Sequence, residues 1–287
     1  MPTGYDAPFV LVFTDLDGTL LDHDTYDWKP AKPALNRMNA YGFPIIPVSS
    51  KTRAEIQVLR RQIPFYGPFI TENGGGLFFS ESDFKVIPPN AFHVPGTQAL
   101  LGISLGTPYG RLVEVLKKIR EESGVDLKGF SEMTHEEIIH HTDLDPKLVR
   151  AAVQRDFDEP FLIMEKTLPN ENALIKAAQK RGLSITKGGR FYHLHGDNDK
   201  GRAMALVTEC YRETRKHILT VALGDSPNDF PMLARADYPV LIKSKQTYPI
   251  LKQEIPHLIH TAEPGPLGWN QAVMKILDAL KEGMLHE

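Results

Sequence analysis

The sequence predicts an α/β protein in which a parallel-sheet core carries an inserted α/β cap. Three observations lead there. Short apolar runs alternate with helix-spaced apolar patterns towards both ends of the chain, as in a parallel sheet covered by helices. Prolines and glycines break that rhythm after about residue 87, and a second α/β pattern occupies 88–189 before the first resumes. Two acidic clusters, one on each side of the interruption, directly follow apolar runs. The expected division is therefore core over 1–87, cap over 88–189 and core again over 190–287.

Phe9–Phe13 is apolar throughout, as expected of a strand buried on both faces. A helical pattern from Pro33 to Tyr41 leads to a second strand, Ile45–Val48. Thr52-Arg-Ala-Glu55 has the form of a capping box, and Ile56, Leu59 and Ile63 make one helix face behind it. Phe69–Thr71 is a third strand, and Leu77–Phe79 with Lys85–Ile87 is expected to form a hairpin. In the middle block Leu112, Val115, Leu116 and Ile119 keep helical spacing, and Asp145-Pro146 starts another helix as cap and first residue. Phe161–Met164 is a strand, and the helix Asn172–Arg181 stops at Gly182. Ser184–Lys187 and Phe191–His195 are strands joined by Gly188-Gly189-Arg190. The core pattern returns with a helix over 200–215, a strand over Ile218–Leu223, a helix to Ala234, strands near Val240 and Leu258, and a last helix over Pro266–Leu280.

Composition narrows the function only by exclusion. Thirty-three Lys and Arg face 36 Asp and Glu, a net charge of -3, so no broad positive field exists to hold a nucleic acid. The single cysteine, Cys210, excludes an internal disulfide and a cysteine-based zinc site. With no basic, apolar leader pattern and no apolar run near membrane-spanning length, the protein is expected to be soluble and cytoplasmic.

The residues that carry chemistry sit at strand ends. Asp15-Leu-Asp17-Gly-Thr19 follows the first strand, where ligands bind in open parallel sheets. Its two carboxylates have no nearby cation in sequence, and oxygen ligands without His or Cys favour Mg²⁺. A calcium loop does not fit, because the glycine comes too early and Tyr26 stands where a bidentate Glu is needed. Gly224-Asp225-Ser-Pro-Asn228-Asp229 places further carboxylates after a second buried strand, and adjacent strands would bring Asp225 to Asp15. Asp229 can equally favour a helix start. Ser49-Ser50-Lys51-Thr52-Arg53 offers hydroxyls, N–H groups and positive charge for phosphate oxygens, with Thr52 read mainly as a cap. Lys200 heads a helix, against the dipole preference, which suggests a task in balancing carboxylates and a phosphoryl group. His193 and His195 share a strand face, where packing or hydrogen bonding is the favoured reading over a metal.

Taken together, Asp15-x-Asp17-Gly-Thr19, the Ser49/Ser50 strand end, Lys200-Gly201 and Gly224-Asp225-x-x-Asn228-Asp229 resemble the haloacid dehalogenase-like phosphohydrolases. The resemblance implies a Rossmann-like core and makes the middle block the α/β cap of the sugar-phosphatase branch. More narrowly, the Ser49–Glu55 segment, Glu72-Asn-Gly-Gly75, Lys187–Leu194 and Gly224–Asp229 are similar to the branch that dephosphorylates mannosyl-3-phosphoglycerate. Phosphatases of glucosyl-3-phosphoglycerate or another sugar phosphate, a phosphomutase and, least favoured, a phospho-acceptor signalling domain are the alternatives. The resemblance implies Asp15 as nucleophile, Asp17 as acid and base, and Ser49 (or the adjacent Ser50) with Lys200 on the phosphoryl oxygens. It places Mg²⁺ on Asp15, the Asp17 carbonyl and Asp225, with Asp229 in support. Lys51, Arg53 and Asn228, with Gly188, Gly189 and Arg190 as a clamp for the glycerate carboxylate, are the expected substrate contacts. The implied partner is a small phosphorylated sugar or glycerate compound, with neither nucleic acid nor membrane involved.

Overall fold

The structure, a computed structural model, describes residues 8–97, 99–142, 145–164, 171–187, 191–249, 251–255 and 257–283. The chain runs β1 (Phe9–Thr14), α1 (Lys32–Tyr41), β2 (Ile45–Pro47), α2 (Arg53–Leu59), β3 (Phe69–Thr71), β4 (Gly76–Phe79), β5 (Phe92–His93) and β6 (Leu101–Ser104). It continues through α3 (Tyr109–Ser123), β7 (Leu127–Gly129), α4 (His135–Thr142), α5 (Pro146–Ala152), β8 (Asp158–Ile163), α6 (Glu171–Gln179), β9 (Ser184–Lys187) and β10 (Tyr192–His195). The last part is α7 (Lys200–Arg212), β11 (Ile218–Gly224), α8 (Phe230–Leu233), β12 (Tyr238–Lys243), α9 (Leu251–Glu254), β13 (Ile259–Pro264) and α10 (Gly265–Lys281).

The core sheet has the order β13-β12-β11-β1-β2, with every pairing parallel. Alternation along the central strand divides its side chains between two helical layers. Val10 and Val12 pack with Leu35 and Met38 of α1 and Trp269 and Val273 of α10. Leu11 and Phe13 pack on the other face with Met204 and Val207 of α7 and Met232 of α8. Burial on both faces explains why this strand reads as an uninterrupted apolar run.

A smaller antiparallel sheet, β3-β4-β6-β5, touches the core through the parallel bridge of Val48 and Ile70. The expected hairpin of Leu77–Phe79 with Lys85–Ile87 does not form. Residues 85–87 are exposed and outside any strand, and β4 pairs instead with β3 and β6.

The cap is an antiparallel sheet, β7-β8-β10-β9. One face packs on α3 and α6 through Leu112, Leu116, Phe161 and Leu174. Phe130, Ile138, Val149 and Phe191 form a smaller cluster on α4 and α5. Strand pairing moves both expected limits of this unit. Because β5 and β6 find their partners on β4, the chain leaves for the cap near 106 rather than 88. Because β10 is held between β8 and β9, it returns near 196 rather than 190.

Candidate active site

Asp15 lies where it does because β1 and β11 pair in register up to Thr14 and Leu223, and the Asp15 N–H then donates to the Leu223 carbonyl at 2.9 Å. The chain turns sharply at Gly18, which has φ +77° and whose added Cβ would lie 2.8 Å from Asp225 Oδ2. Buried Leu16, Leu20 and Leu21 anchor the turn in the core, and the indole N–H of Trp269 donates to Thr14 Oγ1 beneath it. On the neighbouring strand, Gly224 leaves room for the Asp229 side chain to fold back against Asp225. The sequence expectation that the two strand ends unite their carboxylates holds: oxygens of Asp15, Asp225 and Asp229 lie within 4.8 Å of one another.

Lys200, fully buried at the start of α7, donates to Asp15 Oδ1 at 2.7 Å and to Asp229 Oδ1 at 2.6 Å. The second oxygen of Asp229 accepts from the backbone N–H groups of Asp225 and Ser226, both at 3.0 Å. Asp229 is thereby committed to holding the loop and the lysine. Burial pushes the Asp15 carboxyl up to about 8, helped by Asp229 and Asp17 and opposed by Lys200. Burial and Asp229 likewise push Asp225 up to about 6. Carboxylates raised in this way, offering oxygen donors alone, fit a hard divalent cation, which would restore their charge. Asp15 and Asp225 are the residues able to hold it directly.

The second strand end lies alongside, because the Val48 N–H donates to the Thr14 carbonyl. Ser49 is buried, and its hydroxyl accepts from the Lys51 N–H at 3.2 Å; Ser50 is partly exposed. Thr52 caps α2 in the capping box expected from sequence, and its hydroxyl also donates to the Ala151 carbonyl of the cap. Lys51 and Arg53 are engaged within the protein. Lys51 Nζ lies 2.9 Å from Asp17 Oδ2 and 5.2 Å from the Tyr26 ring centroid, and Arg53 pairs with Asp156 of the cap at 3.2 Å. Asn228 donates to Asn73 Oδ1 at 3.0 Å. Gly188, Gly189 and Arg190 lie outside the described residues. His193 bonds to Asp158 at 2.9 Å and His195 to the Gly196 carbonyl at 2.8 Å, so both rings have hydrogen-bond partners.

Several residues near the site were given no individual task by the sequence. Glu72 and Asn73 are non-glycine residues with φ of 47° and 55°. Buried Asn198 donates to the Glu72 carbonyl at 3.2 Å. Arg155 of the cap bonds to Asp158 at 2.7 Å and to the Ser50 carbonyl at 3.3 Å. The Glu-Asn-Gly-Gly run was a visible signal for the first pair; Arg155 sits in an ordinary charged stretch and gave none.

The sequence pattern of the haloacid dehalogenase-like hydrolase family matches residues 12–263. A glucosyl-3-phosphoglycerate/mannosyl-3-phosphoglycerate phosphatase of Methanococcoides burtonii is 39% identical over 274 residues, covering 93% of this chain and 97% of its own. A protein of the same description from Persephonella marina is 38% identical over 282 residues, covering 96% and 99%. Among solved structures, the sucrose-phosphatase of Synechocystis, in complex with sucrose and phosphate, superposes with a TM-score of 0.59 at 12% identity, over 96% of this chain and 98% of that one. At that identity the likeness concerns the fold.

Proposed function

Since the chain belongs to the haloacid dehalogenase-like hydrolases, we propose that it is a Mg²⁺-dependent phosphatase that removes the phosphate of mannosyl-3-phosphoglycerate. The observation that carries the chemistry is the union of Asp15, Asp225 and Asp229 around buried Lys200 at the ends of two adjacent parallel strands. The substrate class rests on relatives described as acting on glycosyl-3-phosphoglycerates. Glucosyl-3-phosphoglycerate is the second reading, because both relatives carry both sugars in their description.

An Asp15 carboxylate oxygen attacks the phosphorus, and the new oxygen–phosphorus bond of the acyl phosphate forms as the bond to the glycerate oxygen breaks. Asp17 gives its proton to the departing oxygen and then takes one from the water that hydrolyses the aspartyl-phosphate. Its Oδ1 is buried with no hydrogen-bond partner among the described residues, so that oxygen is not committed to another group. Lys51 holds the other oxygen and so fixes the direction of the carboxyl group. Lys200 keeps Asp15 oriented and offsets charge on the transferring group, with Ser49 supplying a hydroxyl to a phosphoryl oxygen. Asp15, the Asp17 carbonyl and Asp225 would hold Mg²⁺, steadied by Asp229, and the ion supplies positive charge against the phosphoryl oxygens when bound.

The test is phosphate release from a panel of phosphorylated sugars and glycosyl-phosphoglycerates, with Mg²⁺ and with a chelator. Turnover should be greatest on the glycosyl-3-phosphoglycerates and vanish with the chelator. Asp15→Asn should lose on the order of 10⁴-fold or more in kcat with an unchanged circular dichroism spectrum. Metal-independent turnover, or near-normal turnover by that variant, would sink the reading.

A further inference from the structure

The Glu72–Gly75 turn touches the Ser49 loop, Asn228, the chain before Lys200 and the cap. Glu72 and Asn73 both adopt left-handed backbone angles, followed by Gly74 at φ +93°. Successive residues of this kind persist only where the surroundings over-determine them. Here the surroundings do so. The Glu72 N–H donates to the Lys51 carbonyl at 3.1 Å and the Asn73 N–H to the Ser49 carbonyl at 3.0 Å, so the turn grips the phosphate-side loop. Asn73 also accepts from Asn228, next to Asp229. A Cβ on Gly74 would lie 2.3 Å from the carbonyl oxygen of Asp199, which precedes Lys200.

The same turn grips the cap. The Glu72 carboxylate is almost wholly buried and accepts from the N–H groups of Phe157 at 2.6 Å and Asp156 at 3.0 Å. Arg155 Nε lies 3.3 Å from its other oxygen. The Gly75 carbonyl accepts from the N–H groups of Leu105 and Gly106, where the chain leaves for the cap. A buried carboxylate needs such partners, and backbone amides leave it little freedom to turn. We propose that Glu72 is a positioning residue for the reaction: through the turn it heads, it fixes the phosphate-side loop and the cap in one arrangement. This rests on the phosphatase reading above.

The consequence is that substrates needing the cap depend on Glu72 far more than those that do not. Glu72→Ala and Glu72→Gln are compared with wild type on mannosyl-3-phosphoglycerate and on p-nitrophenyl phosphate, a small ester with a good leaving group. Glu72→Ala should lose about 100-fold in kcat/KM on the glycosyl substrate, with a loss about tenfold smaller on the small ester. Glu72→Gln, which still accepts hydrogen bonds, should fall between wild type and Ala. Equal losses on both esters, or no loss on either, overturn the proposal. Hydrogen exchange gives a second readout that needs no turnover. Glu72→Ala should speed exchange at the amides of Asp156 and Phe157 and, through the turn, at that of Asn73, which donates to the Ser49 carbonyl; an unchanged rate at Asn73 overturns the coupling. If wild type hydrolyses no phosphomonoester, the phosphatase reading fails on its own, and the exchange rates still decide whether cap and loop are joined.

Discussion

Asp158 shows how a single buried carboxylate can be kept charged. Burial alone would raise its pKa, but His193 and Arg155 outweigh that, with His195 adding to them, and hold it at about 2. Glu72 in the same cluster goes the other way, since burial pushes it up to about 8 against the pull of Arg155. The native value lies below the unfolded one, so the group stabilises the fold above the ordinary carboxylate pKa. That contribution is lost as pH falls through the native value. Asp158→Asn should therefore cost on the order of 2 kcal/mol near neutrality. The gap between variant and wild type should close between about pH 4 and pH 2, where wild-type Asp158 itself becomes neutral. Urea unfolding across that range measures it, and a gap that stays constant refutes the account. Lys200 illustrates the complementary case, since a fully buried ammonium persists because two carboxylates surround it.

At the scale of the element, α2 is held by chemistry that its first four residues announce. Thr52 accepts from the Glu55 N–H, Glu55 accepts from the Thr52 N–H, and the same hydroxyl donates to the cap at Ala151. Thr52→Ala removes both bonds made by the hydroxyl and should cost about 2 kcal/mol, read as a lower urea midpoint with an unchanged slope. Such local devices are what made the sequence legible. The capping box, the Asp145-Pro146 helix start and the apolar runs of β1 and β11 act within a few residues or along one strand. The acidic strand ends were legible for the same reason, since parallel pairing leaves two adjacent ends little choice of neighbour. What was hidden depends on distant partners. Residues 85–87 looked like the return strand of a hairpin, yet β4 pairs with β6, beyond an exposed loop. Lys51 and Arg53 read as cations of the phosphate side, and their ion pairs with Asp17 and Asp156 depend on a nearness that no local pattern encodes.

For the molecule as a whole, the acidic site is a point of unresolved charge that a cation can settle. Mg²⁺ at about 100 times its Kd should add about 2.7 kcal/mol to native stability. Asp225→Asn should lose most of that gain while unfolding in the same cooperative way. Thermal melts across a Mg²⁺ series check this, and an equal gain in the variant would place the ion elsewhere. Among the described residues, no helix is long and apolar enough to cross a membrane. The strand order carries one more implication, for the order of events on the ribosome. β1 emerges before its neighbour β11, which follows only after the whole cap has been made. The cap sheet, by contrast, pairs strands contained within one stretch of chain. Low contact order favours early folding, so the cap can settle during synthesis while the central strand waits with one edge open. Asp15 is thus made well before the strand whose end completes its surroundings.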